Sequence, residues 1–531
     1  DLLRDEWGFD GLVVSDWGAI KDRVVALHAG TDLEMPSSGD QGTDEIVAAV
    51  RDGRLDREDV TAAVRRLRRL SDRTAPPAEP APPVDHDSHL RLARRAGRES
   101  VVLLRNEDAT LPLRRGQKVA VLGTLAVDPQ FQGGGSSHVN PTRVDIPLEE
   151  LRALHGTDDV VYAAGYDRDA PDASALLDEA SAVAAAADVA VVFVGLYEAD
   201  QTEGFDRTDI ERVAGAAPRT VVVLMNGGVV SLEPWHDRVE AILEGWALGQ
   251  SMGGALADVL TGAVSPSGRL AESIPMALSD TPAFLTFPGE NGVSRYGEGI
   301  FVGYRYYTSA HRTVRYPFGH GLSYTEFALE DATVRQTAEH AAVLEVRVRN
   351  TGDRRGAEVV QVYVAPPASP VRRPTRQLAG FEKVHLDPGE AAVVQIGLDR
   401  RAFAYWDVTL DDWTVTGGTY GVQIGRSAED IVADLPLQLE GDPDPVRVLS
   451  KESSVKDWFA HPVVGPALIQ GIAQKMGVEH QQDLDQGLEM MKLVELMPMA
   501  QFARMPMVGI GDDVLEHFIS MSIDAARPAA R

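Results

Sequence analysis

The chain has 531 residues, enough for about three or four domains, and is 44% apolar and 25% charged, the balance of a globular protein that buries several cores. Its net charge of −29 argues against nucleic acid, whose phosphates would be repelled, and against anionic membrane surfaces; a neutral small-molecule partner suits it. With no cysteine, disulfides, thiolate catalysis and zinc–cysteine sites are excluded.

Residues 1–73 alternate short apolar strands with helices. The continuous apolar run at 11–17 predicts a strand buried on both faces, followed by a helix from about Ile20 to His28. A second short strand is expected around 32–35. Two helices follow, the later one opened by Asp56 with Asp59 three residues on, a variant of the capping box. Two such units cannot close a sheet alone, so the chain is expected to open inside a larger array that begins upstream. Residues 74–87 are proline-rich and predict an extended linker.

Residues 88–275 repeat a strand–helix rhythm. Strands are expected at 119–122, 160–164, 189–194, 221–225 and 241–246, with an alanine-rich helix over 173–187. This predicts an α/β sandwich with a mostly parallel sheet. The most apolar stretch, 182–196, is interrupted by Asp188 and is too short to span a bilayer. Residues 276–335 are rich in Gly, Tyr and Phe and predict a connecting segment. From 336 to 440 the alternation is that of a β-sandwich with an immunoglobulin-like strand count. Residues 441–531 predict a helical extension. Its methionines, among them Met490, Met491, Met497, Met499, Met505 and Met507, are expected to pack against another domain.

Asp16 ends the first strand and precedes Trp17. A carboxylate at the carboxyl end of a barrel strand can attack an anomeric carbon, and the indole offers a sugar an apolar face. By position alone, a cap on the next helix is the better reading of Asp16, and Trp17 serves as readily to fill a core. The residues around this pair carry a resemblance. Gly-Leu-Val-Val-Ser-Asp-Trp at 11–17 and Ala-Gly-Thr-Asp-Leu-Glu-Met-Pro at 29–36 are similar to consecutive strands of glycoside hydrolase family 3. Further motifs of that family follow in register. They are Glu-Ser-Val-Val-Leu-Leu-Arg-Asn at 99–106, Leu-Pro-Leu at 111–113, Gly-Gly-Gly-Ser-Ser at 133–137 and Gly-Gln-Ser-Met-Gly-Gly at 249–254. Pro-Ser-Gly-Arg-Leu at 266–270, Pro-Phe-Gly-His-Gly-Leu-Ser-Tyr at 317–324 and Gln-Leu-Ala-Gly-Phe at 377–381 complete the set. The resemblance covers roughly residues 1–440.

The resemblance implies a multidomain α/β plus β architecture. Residues 1–73 become the end of a (β/α)8-type barrel and 336–440 a fibronectin type III-like domain. It implies a retaining mechanism, with Asp16 as nucleophile and Glu203 as acid/base; Glu198 is the rival, since both lie in the loop after the strand at 189–194. Trp17 becomes a sugar platform. Ser136, Ser137 and His138 are candidates to hydrogen-bond sugar hydroxyls, and Phe205 and Arg207 to shape the pocket, while Asp206 holds the loop together. The glycine-rich stretch is not a phosphate loop, because no Gly-Lys-Ser/Thr follows it. The thirteen histidines show no metal-ligand spacing, so no metal or cofactor is expected.

The expected reaction is removal of terminal β-D-glucosyl residues from small glucosides or oligosaccharides. β-Xylosides, α-L-arabinosides and N-acetylglucosaminides are alternatives; the branch acting on the last often lacks the second and third domains present here. A second expectation is that this chain by itself is an inactive fragment, at most a binding or structural module. A barrel takes about 250 residues, and residues 1–73 supply two of its units. A nucleotide-binding reading of 88–275 lacks the Gly-x-Gly-x-x-Gly turn that it needs. The sequence leaves the compartment and the oligomeric state open.

Overall fold

The computed structural model describes residues 2–75, 83–166, 174–200, 219–369, 371–408, 410–443, 446–476, 494–505 and 508–526. The chain divides into two compact units, Asp1–His86 and Asp87–Arg531.

In the first unit, helices α1 (Arg23–His28), α2 (Gly39–Arg51) and α3 (Arg57–Arg73) follow or separate two extended segments. Helix α1 starts later than Ile20 because Asp22 supplies the cap, accepting from Val24 N and Val25 N at 3.0 Å each. Asp56 caps α3 through Glu58 N at 2.8 Å. Asp59 does not complete a capping box; its carboxylate meets His28 Nδ1 at 2.9 Å. The segment at 11–17 is not a strand buried on both faces. A single parallel bridge joins Val14 to Leu33, and Val14 is 47% exposed. A parallel strand is covered only when neighbours flank it and helices lie over it, and the bridge found here supplies one neighbour.

The second unit opens with α4 (His86–Ser100). Arg94 docks this helix, donating to both oxygens of Asp258 at 2.8 Å and to Glu150 at 2.7 Å. Next come β1 (Val102–Asn106), β2 (Val119–Leu122), α5 (Pro147–His155), β3 (Val160–Ala163), α6 (Ser174–Ala185), β4 (Val189–Gly195), β5 (Thr220–Met225), β6 (Ala241–Glu244) and α7 (Met252–Leu260). The sheet order is β1-β6-β5-β4-β2-β3. Strands β2 to β6 pair in parallel, and β1 lies antiparallel along β6.

Alternate residues of β4 and β5 feed two cores, which explains their unbroken valine runs. Val191, Phe193, Val221 and Val223 pack with Leu151 of α5 and Leu256 of α7 on one face. Ala190, Val192, Val222 and Leu224 pack with Ala180 and Ala184 of α6 on the other. Each fully buried valine or leucine side chain contributes about 1.5–3 kcal/mol over its exposed state.

Beyond α7, β7 (Ile274–Pro275) and β8 (Val314–Tyr316) pair antiparallel, with α8 (Tyr304–Ser309) between them. Seven strands then make the β-sandwich: β9 (Phe327–Ala338), β10 (Ala341–Asn350), β11 (Gly356–Ala365), β12 (Gln377–Leu386), β13 (Ala391–Leu398), β16 (Gly418–Gly425) and β17 (Ile431–Leu439). One sheet runs β13-β10-β9 and the other β12-β11-β16-β17. A short helix α9 (Arg400–Phe403) and the hairpin of β14 (Ala404–Asp407) and β15 (Asp412–Val415) lie between β13 and β16. The first sandwich strand begins at Phe327, ahead of the expected 336. It pairs with β10 as far as Asn350↔Phe327, yet its side chains are only half-buried or exposed, which blurs the alternation.

The extension carries α10 (Val455–Ala460), α11 (Val464–Met476), α12 (Met499–Ala503) and α13 (Asp512–Ala526). Met499 is buried with Trp458, Phe502 and Leu515, and Met497 and Met505 pack on the same core. These methionines fill the extension's own interior rather than a contact with another domain. Met490, Met491 and Met507 lie outside the described residues. No described helix is long and apolar enough to cross a membrane.

Candidate active site

Asp16 stands at the carboxyl end of the extended segment 11–17. Ser15 N donates to Leu33 O at 2.9 Å and Gly18 N to Met35 O at 2.8 Å, so the backbone on both sides of Asp16 is tied to the next segment. Asp16 does not cap a helix, since Asp22 holds that position. Its carboxylate is exposed and accepts from Trp17 N at 2.7 Å. Trp17 is 72% exposed, so in this chain its indole fills no core.

The brace of this unit is Asp32, whose side chain is fully buried. It accepts from Arg4 Nη2 at 2.7 Å, Arg66 Nη1 at 2.7 Å and Val13 N at 2.9 Å. One carboxylate thus links Arg4, α3 and the extended segment that carries Asp16. Asp32 lies in the motif at 29–36, and its partners are distant in sequence and brought to it only by the fold.

In the second unit the chain leaves β2 toward β3 on one side and returns to β4 on the other. The carboxyl ends of β2 and β4 therefore flank a topological switch point, where open α/β sheets bind ligands. Two of the expected functional loops leave from these two ends. The one after β2 carries Ser136, Ser137 and His138, all exposed. Gln132 closes this loop, its amide bonding Val139 N at 3.1 Å and Val139 O at 3.2 Å. The loop after β4 starts with a short turn, Glu198–Asp200, in which Glu198 is exposed. Glu203, Phe205 and Arg207, like Asp206, lie outside the described residues. Among the described residues no group of three or more His, Asp or Glu side chains is placed to hold a metal ion.

Comparison with known proteins finds three family matches along the chain. Residues 1–70 match the glycosyl hydrolase family 3 N terminal domain, 101–324 its C-terminal domain and 358–428 a fibronectin type III-like domain. Thermostable beta-glucosidase B of Acetivibrio thermocellus is 41% identical over 98% of this chain and 71% of its own length. The chain belongs to glycoside hydrolase family 3.

An exo-alpha-(1->6)-L-arabinopyranosidase of Bifidobacterium breve is 43% identical across 89% of this family 3 chain, which spans 64% of that relative. The crystal structure of a Bifidobacterium adolescentis GH3 beta-glucosidase superposes with a TM-score of 0.80 at 43% identity, covering 88% of this chain and 70% of that one. The glucose complex of DesR, a beta-glucosidase from Streptomyces venezuelae, gives 0.74 at 28% identity, covering 82% and 73%.

The sheet of this family 3 chain also holds a pair that the sequence reading missed. Glu244 ends β6 wholly buried and accepts from Trp246 N at 3.1 Å and Asn226 Nδ2 at 3.3 Å. Burial, with the nearby Glu272 adding to it, pushes its pKa up to about 8. The one signal in the sequence was an acid closing the apolar run at 241–244.

Proposed function

We propose that the protein bearing this chain removes terminal non-reducing β-D-glucosyl residues with retention of configuration. The observation that carries the reading is the 41% identity to a β-glucosidase over 98% of the chain, in a chain whose family-matched residues 1–70 hold Asp16 and Trp17. The exposure of both side chains at the end of the 11–17 segment supports it.

In this mechanism an Asp16 oxygen attacks the anomeric carbon while the glycosidic C–O bond breaks. The protonated Glu203 gives its proton to the departing oxygen, leaving a glucosyl ester on Asp16. Glu203, now a carboxylate, takes a proton from water as the water oxygen attacks the same carbon. The ester bond breaks and Asp16 is regenerated. Retaining enzymes hold the two carboxyl groups about 5–5.5 Å apart. Trp17 offers the sugar an apolar face, and Ser136, Ser137 and His138 offer hydrogen bonds.

The arabinopyranosidase relative favours a second reading. An α-L-arabinopyranoside presents its scissile bond as a β-D-hexopyranoside does but lacks the hydroxymethyl group. The test is kcat/KM on p-nitrophenyl β-D-glucopyranoside and α-L-arabinopyranoside. It compares the 531-residue chain with an extended form, in which a complete family N-terminal domain ends in residues 1–70. The extended form is expected to prefer the glucoside, and the chain alone to be nearly inactive, since its two barrel units are far short of eight. Asp16→Asn and Glu203→Gln are each expected to lower the rate by about 10²-fold or more. A preference for the arabinoside replaces the glucoside reading; undiminished rates in both variants sink the assignment of the two carboxylates.

A further inference from the structure

The loop that carries Ser136, Ser137 and His138 is built from its base upward. Phe131 packs on one core of the sheet, and its carbonyl accepts from Gly249 N at 2.8 Å. At the far end of the same connection, Asp145 N donates to Gln250 O at 2.8 Å. Two neighbouring residues ahead of α7 thus hold both ends of the segment 131–145. Gln130 Nε2 bonds the Gln132 carbonyl, which ties the backbone of Gln132 to that base.

From there the Gln132 side chain reaches forward seven residues. Its Oε1 accepts from Val139 N at 3.1 Å and its Nε2 donates to Val139 O at 3.2 Å. The pairing fixes which way the amide points, since an N–H needs the oxygen and a carbonyl needs the nitrogen. Val139 is 61% exposed, so without this amide both of its backbone groups turn to water. Between the two residues lies a tight turn, Gly135–Ser137. Ser137 Oγ donates to Gly134 O at 2.8 Å and His138 N to Gly135 O at 3.2 Å. These bonds shape the turn, and the Gln132 clamp fastens its end to the base. His138 stands between turn and clamp. It is exposed, and its ring nitrogens have no partner among the described residues.

We infer that Gln132 is a positioning residue for sugar binding: through Val139 it holds the neighbouring His138 in place to meet a sugar hydroxyl. The inference rests on the proposed function, which gives His138 that contact. A hydrogen bond to a hydroxyl weakens steeply once its angle is lost. A ring on an unclamped loop must be ordered at the moment of binding, which lowers affinity, and a clamp made beforehand removes that cost. Loss of the clamp therefore has a signature that a general loss of folding lacks: its effect shrinks once the His138 ring is gone.

The test measures glucose binding by calorimetry in the extended form, for Gln132→Met, His138→Ala and the double variant. Methionine is as long and unbranched as glutamine but has no donor and only a weak acceptor. Gln132→Met is expected to weaken binding about tenfold by itself and about threefold or less on top of His138→Ala. Equal losses in both backgrounds, or no loss from Gln132→Met, overturn the inference, and a loss from His138→Ala then leaves the His138 contact standing. If His138→Ala leaves glucose binding unchanged, that contact fails and the inference falls with it. A second measurement needs no sugar. Amide exchange at Val139 in the 531-residue chain is expected to quicken about tenfold in Gln132→Met while β2 and β4 keep their protection; unchanged exchange there overturns the inference.

Discussion

Glu244 shows what one buried acid does to the pH dependence of the fold. Desolvation is the main cause of its raised pKa. Glu272 adds to it, and the bonds from Trp246 N and Asn226 oppose it without cancelling it. The ordinary value is 4.5 and the folded value about 8. Because the folded value is the higher, the native state holds a proton that the unfolded state releases. The stabilisation is full below the ordinary value and is lost as pH rises toward 8. At about 1.4 kcal/mol per pKa unit, the loss amounts to a few kcal/mol across that window. A neutral glutamine has no such proton to lose. Calorimetry is expected to show the wild-type Tm falling relative to Glu244→Gln between pH 5 and pH 8. A constant Tm difference across that range means that Glu244 does not titrate as a buried acid.

Among the elements, the two extended segments of the first unit depend on Asp32 more than on a ladder. Asp32→Ala removes the acceptor for Arg4, Arg66 and Val13 N together, and leaves that amide without its partner. The expected cost is about 2–4 kcal/mol. Proteolysis within residues 1–86 should accelerate while the β-sandwich strands keep their exchange protection; unaltered cleavage there removes Asp32 from the role of brace. The same elements show what was legible beforehand. Strands β4 and β5 could be read because both faces are covered, so Val189 to Val194 and Val221 to Met225 are unbroken apolar runs. Residues 11–17 carry the same pattern without the cover, and pattern alone does not report which neighbours are present. The start of β9 is hard to see in the sequence because its alternation is weak. Asp16 was found through its motif, not through its position. Asp32 and Glu244 stayed hidden because their partners are brought close only by the fold, and a polar residue's own letter does not name its partner.

At the scale of the whole molecule, the α/β layer and the β-sandwich are joined by buried polar groups. Gln361 of β11 donates to Gly319 O at 3.0 Å and Arg426 O at 2.8 Å, which fastens the connecting segment to the sandwich. Arg269, in the turn after α7, meets Glu358 of β11 at 2.7 Å, and both side chains are about nine-tenths buried. Such a pair contributes little net stability over an apolar one, because both charges lose their hydration, but breaking it leaves one charge buried alone. Arg269→Met is therefore expected to cost about 3–5 kcal/mol. The double variant Arg269→Met, Glu358→Met should recover most of that loss, since no unpaired charge remains. Because the pair spans the two layers, the single variant should also uncouple them, splitting one calorimetric transition into two, while the double variant keeps one. Additive losses in the double variant would mean that the contact matters through packing alone, and that the ion pair does not hold the sandwich to the α/β layer.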